Sequence, residues 1–311
     1  MKTLVRIFIV LVLLAGLTSC KDGVSAEDTI VNMFTLKDCV PPSLISAAAL
    51  DEYTAAFVFD EEVFPLEGSF TGGSPASGGL SVRIALDSKL AAGNSARIGG
   101  TVYDSFGNTT TFEVTVWGLN GNPAVLRINE FTTKGSRNQP DRTELKVMRP
   151  GSTAGLVLYD GIPGSYRAFV VLPHYEVQST SFITVWWCDA LPAGVKEREG
   201  ANINIAAGGG LSENNGIMCL ASSPVQGAAV TDCVVWSSKE SAQYEGYGTK
   251  EVWERVTAAS ESGWWAGEAV YSGWSTSTRA MALGADGRWY TTVQGGLTFG
   301  SENTAAAYKG E

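Results

Sequence analysis

A chain of 311 residues with a formal net charge of −10 and a single histidine is ill suited to nucleic acid or to an anionic lipid surface, because like charges repel. Its 36 glycines, 44 % apolar residues and only 17 % charged residues point to short strands with many turns, and away from a helical bundle or a disordered chain. At roughly 100–200 residues per domain, the length leaves room for two.

The chain opens with Lys2 and Arg6, followed by an apolar run from Ile7 to Leu17 interrupted only by Gly16. That run falls short of the ~20 residues a helix needs to cross a bilayer. A short apolar core behind positive charge is the pattern of a secretory signal peptide, here residues 1–19. Leu17-Thr18-Ser19-Cys20 resembles the lipobox of bacterial lipoproteins. The resemblance implies cleavage before Cys20, acylation of its thiol by palmitate-like chains, and a lipid anchor to the bacterial cell envelope, at the periplasmic face or the outer-membrane surface. An ordinary signal peptide followed by an incidental cysteine is the alternative. Cleavage removes Lys2 and Arg6 and takes the formal charge from −10 to −12. Residues 20–40 read as the lipidated cysteine and a polar tether.

Residues 41–118 read as a small antiparallel β domain. Tyr53 to Phe59 is aromatic and short, Leu80 to Leu86 and Phe112 to Trp117 alternate apolar and polar residues, and period two is the mark of a half-buried strand. Ser69 to Gly79 is expected to be a loop, being rich in glycine, serine and proline. Asp104 to Asn108 is a turn in which Gly107 takes a positive φ. Phe59-Asp60-Glu61-Glu62-Val63 and Asp104-Ser105-Phe106-Gly107-Asn108 together resemble two motifs of bacterial Ig-like spacer domains. Asp104 and Asn108 are read as turn formers and not as calcium ligands; no metal and no cofactor are expected.

Gly118 to Pro123 is the expected linker. Beyond it, strands are expected at Val125–Phe131, Thr143–Val147, Gly155–Gly161, Ala168–Leu172, Ser181–Trp187, Gly216–Ala221 and Ala229–Trp236. Lys250 to Val256 is the best helix candidate, one or two turns with Val252 and Val256 on one face. Five pieces of this region resemble the lamin tail domain: Arg127-Ile128-Asn129-Glu130-Phe131 with Glu144-Leu145; Asp232-Cys233-Val234-Val235-Trp236; Ser277-Thr278-Arg279; Arg288-Trp289; and Thr298-Phe299-Gly300-Ser301-Glu302-Asn303. Phe299 stands where that family has proline, and Arg288 where it has aspartate. The resemblance covers 124–305 and implies an immunoglobulin-like β-sandwich that mediates interactions and carries no catalytic residues. Residues 190–210 and 238–273 read as insertions into it. The expected architecture is therefore all-β: two β-sandwich domains in tandem, with a short helix in the second.

Cys39, Cys188, Cys219 and Cys233 remain besides Cys20. Four thiols allow three pairings. A hairpin centred on Gln226 sets Cys219 opposite Cys233, either as a cross-strand disulfide or as two buried thiols that behave as small apolar residues. No catalytic constellation is legible. His174 follows Pro173 in a loop with no nucleophile elbow, and Ala206 to Gly210 lacks the lysine of a phosphate loop. Aromatic residues crowd the C-terminal region, and Trp253, Trp264, Trp265, Tyr271 and Trp274 are the candidate binding rings, since rings with polar handles favour recognition surfaces. Trp289 is expected in the core. The function expected is a non-catalytic binding or scaffolding role, with an envelope protein or a glycan as partner and no nucleic acid. A carbohydrate-binding module and an accessory subunit of an exported hydrolase are the alternatives.

Overall fold

The computed structural model describes residues 38–225 and 227–310. Cys20 and Gln226 lie outside the described residues.

Six strands form the first β body: β1 (Leu44–Ala49), β2 (Thr54–Pro65), β3 (Gly73–Ser77), β4 (Gly79–Leu86), β5 (Ser95–Tyr103) and β6 (Thr109–Trp117). They pair antiparallel in the order β3-β4-β2-β5-β6, with β1 also on β2. The first half of β2 lies between β1 and β4, and its end, Phe64 and Pro65, pairs with β5. One long strand thereby passes from one layer into the other. Phe57, Val82 and Ile84 meet Ile98, Val102 and Phe112 between the layers, and the Phe112 ring lies 5.1 Å from Phe57 and 5.8 Å from Phe59. β4 keeps period two: Val82 and Ile84 are buried, Ser81 and Arg83 exposed. The segment expected as a loop, Ser69 to Gly79, contains β3. Its Pro75 is tolerated because β3 is an edge strand, where a missing backbone donor faces solvent.

After the linker come β7 (Val125–Thr132), β8 (Arg142–Arg149), β9 (Gly151–Ser152), β10 (Val157–Ile162), β11 (Ser165–Val171), β12 (Glu176–Val177), β13 (Phe182–Trp186), β14 (Arg198–Glu199), β15 (Asn202–Ala206), β16 (Gly216–Ala221) and β17 (Val230–Ser237). The helix α1 (Lys250–Glu261) follows, then β18 (Val270–Tyr271), β19 (Met281–Leu283) and β20 (Trp289–Thr291). A seven-stranded sheet runs β14-β15-β13-β8-β7-β19-β20 and a five-stranded sheet β11-β10-β16-β17-β18. Leu126, Ile128, Leu145, Ile183 and Ile203 from the first sheet face Leu158, Met218, Leu220, Val234 and Trp236 from the second. Trp289 packs against this core, its ring 5.3 Å from Phe131. The fold is an all-β sandwich.

β16 is buried along its whole length, so it shows no alternation. Met218 and Leu220 enter the inter-sheet core, while Ile217 and Cys219 point to the opposite face, where Val252, Val256 and Ala259 of α1 cover them. The Thr249 side chain accepts a hydrogen bond from the Val252 amide and caps the helix. The helix outruns the one or two turns expected of it, because Ala259 adds a third buried contact. Residues 190–210 are not a mere insertion: β15 joins the seven-stranded sheet parallel to β13. In the linker, the Asn120 amide donates to the carbonyls of Ser152 and Ala154, both at 2.9 Å. No helix among the described residues is long and apolar enough to cross a membrane.

Candidate functional site

The end of α1 builds the most distinctive concavity. Gly263 takes a φ of +70°, the left-handed conformation that ends helices at low cost for glycine. The turn lets both Trp264 and Trp265 donate their backbone N–H to the Ala259 carbonyl, at 2.9 and 3.3 Å. Two adjacent indoles are thus fixed at the helix end, each half-buried against Cys219, Cys233 and Val256.

These rings form one wall of a groove of about 860 Å³, together with the 266–271 segment and Tyr271. Asp232, Cys233 and Lys239 line it from β17 and beyond, Arg127 from β7, and Gly287, Arg288 and Trp289 from the β19–β20 turn. Three cations (Arg127, Lys239, Arg288) face two acids (Asp232, Glu268) on a chain whose formal net charge is −10. Asp232 is partly spent, because it accepts from the Ile128 amide at 2.7 Å and from its neighbour Cys233 at 3.0 Å. Burial pushes its pKa up and those bonds pull it back. Such a lining offers ring faces for stacking and fixed donors for anionic groups.

The five candidate rings divide. Trp264, Trp265 and Tyr271 line the groove. Trp274 stands behind it, edge-on to Tyr271 at 5.0 Å and to Tyr308 at 5.5 Å. Trp253 lies elsewhere on α1, paired with Tyr244 at 6.2 Å.

Trp264 also borders a second groove of about 460 Å³, with Trp117, Pro163, Tyr159, Tyr166 and Phe169. The last three pack on one another with centroids 5.0–5.8 Å apart, Tyr159 stacked on Phe169 and Tyr166 edge-on to Phe169. None of the three was a candidate from sequence. The signal was there in the two expected strands, whose turn near Gly161 folds Tyr159 opposite Phe169.

The segments 127–131, 144–145 and 298–303 converge in space, and their polar groups fasten one another. Glu130 and Glu144 are fully buried on neighbouring strands. Glu130 accepts from the Thr298 amide and hydroxyl, and Glu144 accepts from Gly300 N and from Asn129 Nδ2. Asn303 donates to the carbonyls of Asn129 and Leu283 at 2.9 Å. The loop 298–303 is thereby fastened across the seven-stranded sheet. Burial pushes Glu144 up to about 8 and raises Glu130 as well. Phe299 has a role proline could not fill: the Arg142 guanidinium lies 4.3 Å over its ring and 4.7 Å over Trp186.

His174 Nδ1 sits 3.1 Å from Ser152 Oγ and its Nε2 3.7 Å from Glu176. The serine is buried while the histidine is 60 % exposed, the reverse of a nucleophile presented to substrate. Asp38, Glu61 and Asp104 bring carboxylate oxygens within 4.8 Å of one another. Asn108 points its amide donor at Asp104, which also accepts from the Phe106 and Asn108 amides, so it closes the turn.

Residues 124–284 match the family TP_1001_2nd, described as "protein second domain". The match spans just over half of the chain, which belongs to that family. No curated protein matches the chain. Among solved structures, the crystal structure of dimeric latent PorU from Porphyromonas gingivalis is similar at 15 % identity and a TM-score of 0.18. That match covers 69 % of this chain and 21 % of the other, so the chain spans about a fifth of that protein's length. A likeness this low carries no argument.

Proposed function

We propose that this protein is a non-catalytic cell-envelope lipoprotein, anchored through Cys20, that binds an acidic glycan in the groove beside Trp264 and Trp265. The first β body serves as a spacer and the second, with its lamin-tail-like motif, as the presenting sandwich. The observation that supports the reading is the groove's lining: Trp264, Trp265, Trp289 and Tyr271 flanked by Arg127, Lys239 and Arg288. Sugar rings stack on such faces, and bidentate arginines suit carboxylates. An envelope protein as partner, or a co-purifying hydrolase, would be read from the same experiment. Purified residues 21–311 are expected to be retained by isolated peptidoglycan or acidic polysaccharide, and Trp264→Ala/Trp265→Ala is expected to abolish retention. Equal retention of wild type and double variant would remove the groove from the account. Metabolic labelling with a fatty acid tests the anchor: Cys20→Ser should lose all label.

A further inference from the structure

One sulfur lines the groove and a second lies behind it. Cys219 and Cys233 are Cα partners across β16 and β17, and their Sγ atoms lie 2.7 Å apart. The pair is closed on one side and open on the other. Cys219 is fully buried among Ile162, Val252 and Val256, whereas Cys233 is half-buried and lines the groove in company with Arg127 and Lys239. Facing side chains on paired strands come close enough to be bridged with small shifts, and here the two sulfurs already touch. Cys233, and not Cys219, is reached from the groove.

We propose that Cys219 and Cys233 form a cross-strand disulfide, and that a disulfide-bearing oxidant enters through the groove and reacts first at Cys233. In the first step the Cys233 thiolate attacks one sulfur of the oxidant; a mixed disulfide forms, the oxidant's S–S bond breaks, and one thiolate leaves. In the second, Cys219 gives its proton to that thiolate and attacks Cys233 Sγ. The protein S–S bond forms and the second sulfur of the oxidant departs as a thiolate, which takes up the proton that Cys233 had released to water. Two protein thiols are oxidised and one external disulfide is reduced to two thiols, so atoms and electrons balance. Contact with Cys233 and burial push the Cys219 thiol up, which suits it to the second step and not the first. The inference is independent of the glycan: it needs only a groove open to small molecules.

The test uses the full chain, reduced and then exposed to oxidised glutathione. Non-reducing peptide mapping should find residues 219 and 233 joined, lighter by two hydrogens, with no bridge from either to Cys39 or Cys188. Cys219→Ser should accumulate glutathione on Cys233 at least roughly tenfold faster than Cys233→Ser accumulates it on Cys219. An unlinked pair in the wild type, a bridge to another cysteine, or equal rates in the two variants would overturn the proposal. The wild-type map decides the pairing even if one variant fails to fold.

Discussion

The two β bodies bury apolar side chains in the same way and polar ones in opposite ways. Among described residues 38–118, Asp104 is the one buried polar side chain, and it is used to close a turn. From Asn129 to Thr292 the buried polar groups lie on seven of the strands β7–β20 and on the loops between them, and include Glu130, Asp141, Glu144 and Asp160. A body with an apolar core needs only the right pattern and volume, and many sequences provide those. Buried carboxylates need matched partners, because an unsatisfied one is costly. The first body is therefore generic, and the second is specified by contacts that bring distant segments together, such as Glu144 with Gly300.

The contrast can be broken most forcefully at Glu144. Replacing it by alanine leaves Gly300 N and Asn129 Nδ2 without their acceptor. At about 1–3 kcal/mol for each orphaned group, the loss should be on the order of 3 kcal/mol in chemical denaturation. A loss confined to a few tenths would mean that the 298–303 loop contributes nothing to the sandwich. Acidity sharpens the same point. Burial raises Glu144 from 4.5 to about 8, so the folded state holds this proton more tightly than the unfolded chain does. The associated stability is complete below about pH 4.5 and is lost as pH rises through about 8. Glu130, Asp141 and Asp160 are shifted the same way by the same cause. The melting temperature should fall across that window, and Glu144→Gln should flatten the slope; an unchanged slope would assign the effect to other groups. The smallest effect belongs to the first body. Arg97 and Glu113 pair at 3.2 Å but are mostly exposed, so Arg97→Ala should change stability by no more than about 0.5 kcal/mol.

Legibility in the sequence follows the same division. β4 and β6 were readable because one face of each meets water and alternation survives, whereas β7 alternates only from Val125 to Ile128 and is buried from there to Thr132. The pairing of Cys219 with Cys233 was readable because a hairpin's arithmetic fixes register, even with the bulge between Leu220 and Ala221. β5 was hidden by Gly99-Gly100. A side chain at Gly100 would meet the Phe70 ring at 2.6 Å, so the glycine marks close packing and not a break. β15 lay in apparent loop because its pairing with β13 is parallel and remote in sequence. For the site, Trp264, Trp265 and Tyr271 could be named from aromatic density, but their cationic neighbours Arg127, on β7, and Arg288, in the β19–β20 turn, are brought near only by the tertiary fold. The motif's two departures turned out to be informative: Phe299 stacks on Arg142, and Arg288 lines the groove.

Binding of an acidic sugar in the groove, as proposed, should depend on the charges of the second body and not on those of the first. Titration calorimetry with an acidic oligosaccharide at rising salt tests it most directly, using wild type, Arg288→Ala and Arg97→Ala. Affinity should weaken with ionic strength, with a clear loss and a shallower salt slope for Arg288→Ala and no change for Arg97→Ala. Equal losses in both variants, or binding indifferent to salt, would contradict it.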